Sequence, residues 1–352
     1  MWAPTITGCP NQGRKLLPHH LRTIIVVASL WLVAAATRGA SEKLEGYAEW
    51  RRGDILVVDG QRVKATPKLK FKGHGAARDF ASIPLGYEIK LEGERQGDGS
   101  VLAKTLEAKP NGNAMFEADL RQSFDQMEKS YLQAGKMVDK DSKGQEHVVG
   151  KLRDEGPDVA RVRRITAKLV PPYMKPEDFR VYVVENEEWN AMAAPNRSIY
   201  VFSGLLNDMD DDEVAIVLGH ELTHSTHEHS RKAFKRDLLI QLATVGTVVA
   251  AEQSVDSEGK RTAIEIAAML TSSAMVSGYG RKHEDQADRV GLRYAYEGGF
   301  DVVKGPGLWN RFAGKYGEGN KATNFFFGDH SVAKDRARNL EHELAVNYGQ
   351  RR

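Results

Sequence analysis

Short apolar runs broken by turn residues dominate the chain from residue 41 to about residue 110. Ile55-Leu56-Val57-Val58 is closed by Asp59-Gly60 and answered by Gln61-Arg62-Val63-Lys64, a pattern that predicts a two-residue hairpin. Tyr87, Ile89 and Leu91 alternate with Glu88, Lys90 and Glu92, as in a strand with one wet face. A second turn at Asp98-Gly99 precedes a run from Val101 to Ala108. Residues 41–110 are therefore expected to form a small all-β, barrel-like module. It would serve either as a binding or positioning module or as a spacer.

The period then changes. Pro110-Asn111-Gly112-Asn113 reads as a linker. After it Phe116, Leu120, Phe124, Met127, Tyr131, Ala134 and Val138 recur every three or four residues, the apolar stripe of one long helix. Asp139 to Gly144 reads as a polar loop, so 111–149 is a helix and linker ahead of a domain spanning 150–352.

Composition adds a few exclusions. The 352 residues are 41% hydrophobic and 28% charged, with a net charge of +2, which argues against a nucleic-acid partner. The lone Cys9 excludes an intramolecular disulfide framework and a thiolate metal cluster. Residues 1–22 carry Arg14, Lys15 and Arg22 and no acid, and Thr23 to Thr37 is apolar. This is the pattern of a signal peptide over 1–40, or of a short anchor. The protein is expected to be exported, periplasmic or secreted, or else tethered to a membrane by its N-terminus. Leu238 to Ala251 and Ala263 to Val276 are also apolar, but both are too short to span a bilayer. They are expected to form a buried helical pair over the site described next.

His220-Glu221-Leu222-Thr223-His224 carries the chemistry. Asp210 to Glu213 predicts a helix start, and Val214, Val217, Leu218 and Leu222 give helical periodicity. On that helix His220 and His224 share a face and can converge on one metal ion, with Glu221 beside it to take a proton from water. His227 lies about 10 Å further along the axis than His220, too far to share its metal. A downstream carboxylate is needed, and Glu284-Asp285-Gln286-Ala287-Asp288 offers two on one helical face. Glu284 is assigned to the metal, and Asp288 to the free N–H of a ligand histidine.

Further pieces surround these motifs: Asn190-Ala191-Met192-Ala193, Ile199 to Leu206, Gly298-Gly299-Phe300-Asp301, Asp329-His330-Ser331 and Arg336. In this order, from about residue 150 to about 345, the chain resembles the gluzincin peptidase family of HtpX, the prenyl-protein CAAX endopeptidases and the BepA-like periplasmic proteases. Val332 stands where that family usually has proline. The resemblance implies an α+β fold, mainly helical with a small sheet, holding one zinc ion per chain. Phe179 to Val184 and Ser198 to Phe202 fit two of its strands. In the family the second of these is an edge above the metal, to which a protein or peptide substrate adds as a strand. Ser198, Ile199, Tyr200, Val201, Phe202 and Ser203 would then bind substrate, with Asn190 nearby. His330 and Arg336 match a loop that returns over the metal. His330 would be an oxyanion donor or a resting-state ligand, and Arg336 a donor or the partner of an acidic residue.

The expected function is that of a zinc metalloendopeptidase with Glu221, His330 and Arg336 catalytic, acting on extracytoplasmic proteins in envelope quality control. The alternatives are a catalytically weak or chaperone-like binding protein of this fold, or a membrane-bound prenyl-peptide protease.

Overall fold

The computed structural model describes residues 41–110, 114–140, 145–227, 229, 281–317 and 333–348. The expected signal segment, the expected helical pair over 238–251 and 263–276, and His330 lie outside the described residues.

Five strands close a barrel: β1 (Ser41–Arg52), β2 (Ile55–Val58), β3 (Gln61–Gly73), β4 (Glu88–Arg95) and β5 (Val101–Lys109), in the order β1-β2-β3-β5-β4. Asp59 and Gly60 both take positive φ, at 48° and 72°, as a two-residue turn of this hand requires. Ile89 and Leu91 point inward beside Leu56, Val58, Val63, Val101 and Leu106, while Lys90 and Glu92 face water. The barrel is the module expected from the alternation.

Helix α1 (Ala114–Ala134) ends at Gly135, whose φ is 61°. The apolar stripe does not continue as helix to Val138. Lys136–Lys140 forms β6, which pairs antiparallel with β7 (Glu146–Arg153). The segment expected to be only helix and linker thus supplies two strands to the following sheet, where β6 and β7 lead into β8 (Arg180–Glu185), β10 (Ser198–Phe202) and β9 (Ala191–Ala193) in that order. Helix propensity along a stripe is a weak prior, and pairing with β7 overrides it.

Alternation divides the sheet between two cores. Tyr182, Val184, Met192, Tyr200 and Phe202 pack with Phe124, Met127 and Tyr131 of α1. Val181, Val183, Ala191, Ala193, Ile199 and Val201 face a larger core. That core is built from α2 (Pro157–Leu169), α4 (Asp211–Thr226), α5 (Arg281–Glu297), α6 (Gly305–Tyr316) and α7 (Ala333–Glu343), with the short α3 (Ser203–Asp208) following β10. Helix α4 is buried on every side from Val214 to His224, which explains why only part of its sequence looks amphipathic. Asp210 caps it, accepting from the N–H groups of Asp212 and Glu213 at 3.1 Å each.

The barrel is seated on α5. Trp50 of β1 lies under the Arg293 guanidinium, 4.6 Å from ring centre to carbon, and Asp59 pairs with Lys282 at 2.9 Å. Tyr47 meets the ring of His227 edge-on at 5.1 Å.

Candidate metal centre

Two crossing helices assemble the site. Gly219 and Gly291 let α4 and α5 touch backbone to backbone: a Cβ on Gly291 would stand 2.4 Å from the His220 nitrogen. Beside that crossing, His220 and His224 on α4 meet Glu284 on α5. Their Nε2 atoms are 3.0 Å apart, and the Glu284 carboxylate lies 3.4 Å from His220 and 3.6 Å from His224. All three side chains are buried. Donors around a tetrahedral metal stand roughly 3.3 Å from one another, so the spacing fits a shared ion.

The outer ring nitrogens support the same reading. His220 Nδ1 meets Asp288 Oδ1 at 2.8 Å, and His224 Nδ1 meets His229 Nδ1 at 2.9 Å. With Nδ1 of each histidine so engaged, both Nε2 atoms face the centre. Metal-binding histidines are commonly held in this way. The buried cluster is suited to a metal ion, held by His220, His224 and Glu284.

Asp288 sits where the sequence put it, against the free nitrogen of a ligand histidine. Burial alone would raise its carboxyl, but the Arg336 guanidinium and the His220 hydrogen bond outweigh that and hold it below the usual range. Arg336 Nε donates to Asp288 Oδ2 at 2.9 Å and Nη2 to Oδ1 at 2.6 Å, and the guanidinium carbon lies over Trp309, 3.4 Å from its centre. Of the two expectations for Arg336, the structure shows the pairing with an acidic residue: its fork bonds a buried carboxylate that would otherwise stand uncompensated, while Nη2 also lies 2.9 Å from His220 Nδ1 and 3.3 Å from its Nε2.

Glu221 projects from α4 toward β9, and its Oε2 accepts from the Ala193 N–H at 3.3 Å. The neighbouring strand overturns an expectation. β10 is no edge: it pairs in parallel with β8 and antiparallel with β9, and Ser198 to Phe202 are all buried. Ser198, Ile199, Tyr200, Val201 and Phe202 therefore have no free ladder to offer a peptide, and Ser203 opens α3 with its hydroxyl on Asn186 O at 3.0 Å. Ser198 and Tyr200 instead donate from their hydroxyls to Glu128 of α1. The terminal strand beside the cluster is β9. Asn190 O accepts from Phe202 N at 2.9 Å and Ala194 N donates to Ser198 O at 2.7 Å. By alternation, the backbone groups of Ala191 and Ala193 turn away from β10. The side-chain oxygen of Asn190 is buried with no hydrogen-bond partner among the described residues.

His227 ends α4 and bonds to Thr226 Oγ1 at 3.0 Å, away from the cluster as expected. His229, by contrast, was not legible in the sequence. The helix breaks at His227, so periodicity gives no hint that a residue five positions after His224 returns to its Nδ1. Gly291 and Trp309 carried no local signal either, since their roles lie in a helix crossing and in a stack on Arg336.

The fold and site define a metallopeptidase-like domain of buried histidines and a carboxylate on crossed helices. Residues 158–344, more than half of the sequence, match peptidase family M48, and the chain belongs to that family. The match begins after the barrel, α1, β6 and β7. Among named proteins, the chain is 29% identical over 169 residues to the mitochondrial metalloendopeptidase OMA1 of Schizosaccharomyces pombe, covering 47% of each chain. It is 26% identical over 173 residues to the metalloprotease LoiP of Escherichia coli, covering 49% of this chain and 65% of that one. It is also 26% identical over 137 residues to the beta-barrel assembly-enhancing protease of Yersinia pestis, covering 38% of this chain and 28% of that one. Each alignment spans less than two thirds of the relative's own length.

Proposed function

We propose that the chain is a zinc-dependent endopeptidase with one zinc ion held by His220, His224 and Glu284. The observation that carries this reading is the convergence of those three buried donors, with both outer ring nitrogens of the histidines already engaged. A bound zinc ion supplies Lewis-acid chemistry, polarising a scissile carbonyl and easing loss of a proton from water. The chain's own residues do the rest. Glu221 takes the proton from the attacking water and delivers it to the leaving amine nitrogen as the peptide bond breaks. Along the β9 edge Ala191 offers its backbone N–H and carbonyl and Ala193 its carbonyl for a substrate strand, and Asn190 offers its amide oxygen to a substrate N–H. Such backbone recognition is permissive for side chains.

Substrates are proteins outside the cytoplasm, in envelope quality control. The basic and apolar N-terminal segment supports export, and two relatives named as bacterial proteases are consistent with it, although OMA1 relatives are mitochondrial. Among the described residues no helix is long and apolar enough to cross a membrane. His330 keeps its proposed role in the catalytic loop, with replacement by Ala expected to change turnover and leave zinc content intact.

The deciding experiment is metal analysis of the purified chain together with casein cleavage by wild type and Glu221→Gln. One equivalent of zinc, with cleavage lost only in the variant, is expected. Zinc-free protein that takes up none on addition overturns the reading.

A further inference from the structure

A hydrogen-bonded path runs from the barrel into the metal centre. Glu49 of β1 is 4% exposed, and its carboxylate accepts from Gly60 N at 3.0 Å and from Arg289 of α5 at 3.2 Å. It also accepts from Gln286 Nε2 at 2.8 Å. Gln286 Oε1 meets His229 Nε2 at 3.0 Å, His229 Nδ1 meets His224 Nδ1 at 2.9 Å, and His224 Nε2 faces the metal position. The ring of His283 stacks on His229 at 4.6 Å and holds its plane. Glu49 and Gln286 are 237 residues apart in the chain.

Chemistry gives this path one direction. A carboxylate only accepts, so the Gln286 amide must turn its NH2 to Glu49 and its oxygen to His229. That oxygen also only accepts, so His229 carries its proton on Nε2 and presents a lone pair at Nδ1. His224 must then carry its own proton on Nδ1 and leave Nε2 bare. A bare Nε2 is the form that binds a metal. If the amide were reversed, its oxygen would face the Glu49 carboxylate oxygen at 2.8 Å, acceptor against acceptor.

We infer that Glu49 is a positioning residue of the barrel: through Gln286 and His229 it sets the tautomer of the metal ligand His224, so the barrel is an integral part of the metal centre. The inference rests on the zinc reading for its consequence, while the tautomer it assigns is measurable in metal-free protein.

The test uses the full chain, with Glu49→Ala, Gln286→Leu, Glu49→Gln and, as a control for docking, Asp59→Ala. Asp59 also links barrel and α5, through Lys282 at 2.9 Å and Arg289 at 3.8 Å, but is not a partner of Gln286 or His229. Histidine-selective 15N NMR of metal-free wild type should find His224 protonated on Nδ1 and His229 on Nε2. Glu49→Ala and Gln286→Leu should shift both toward a tautomer mixture. Zinc competition with a chelator should show affinity lower by about 10–100-fold in these two variants, the usual cost of losing an outer partner of a ligand. Glu49→Gln, whose amide oxygen can still accept, should recover most of that loss, and Asp59→Ala should bind as wild type does. Folded Glu49→Ala with wild-type tautomers overturns the inference, as does a loss of zinc affinity that Asp59→Ala reproduces in full. If Glu49→Ala does not fold, Gln286→Leu decides by the same readouts, since it leaves the contact of Glu49 with Gly60 and Arg289 in place. Wild-type protein that binds no zinc overturns the proposed function instead, and leaves the NMR arm to judge the relay.

Discussion

Gly219 and Gly291 face each other where α4 crosses α5, so closely that a Cβ on Gly219 would stand 2.4 Å from the Gly291 carbonyl oxygen. That approach brings Glu284 and Asp288 to the two histidines. An alanine in place of a helical glycine ordinarily stabilises by about 1 kcal/mol. Here Gly291→Ala should do the reverse, at a cost of roughly 1–3 kcal/mol from overpacking against backbone. Urea melts would register the loss, and zinc affinity should fall with it as the helices part. A variant more stable than wild type would show that the crossing has slack.

Replacing Glu221 by Gln removes the proton acceptor and keeps the shape. Cleavage of a fluorogenic peptide should fall by about 10²–10⁴-fold. Zinc content and melting temperature should stay near wild type, because Glu221 is not among the three converging donors. Turnover above a tenth of wild type would remove it as the base.

Loss of the third donor should separate binding from chemistry. Glu284→Gln is expected to lower zinc occupancy after dialysis, since a neutral amide binds the ion more weakly than a carboxylate. Unchanged occupancy would remove Glu284 as the third ligand.

Arg336→Met would leave Asp288 as a buried carboxylate without its guanidinium. Breaking such a pair typically costs about 3–5 kcal/mol. Arg336→Met combined with Asp288→Asn should recover part of this, because the stranded charge is gone. Thermal melts of the single and double variants check the sign. Equal destabilisation in both would place the role of Arg336 in its stack on Trp309 instead.

The cap of the metal-bearing helix predicts a pH dependence. Burial would raise the Asp210 carboxyl, but Lys304 and the N–H groups of Glu213 and Asp212 outweigh it and hold it below its ordinary 3.8. A depressed carboxyl stabilises fully above the unfolded value and loses that contribution as pH falls through the folded one. Asp210→Ala should therefore cost about 1 kcal/mol at pH 7. The gap between wild type and variant should close as the pH drops below 3.8. Denaturant melts at several pH values would show it, and a constant gap would assign the effect to packing.

What the sequence determined alone is what depends on local spacing. Alternation and Asp59-Gly60 specify the barrel strands and their turn, because side-chain direction and φ are properties of adjacent residues. Four-residue spacing puts His220 and His224, and again Glu284 and Asp288, on common helical faces. Tertiary structure decided the rest. Val138 joins a strand because β7 is there to pair with it, and β10 loses its edge because β8 and β9 take both sides. Arg336 bonds Asp288 because a buried carboxylate needs a cation, and the fold brings the two together from 48 residues apart. His229, Gln286 and Glu49 meet only because a helix breaks, two glycines let helices touch, and a barrel docks on α5. Contacts of that kind join residues far apart in the chain, and no period along the sequence encodes them.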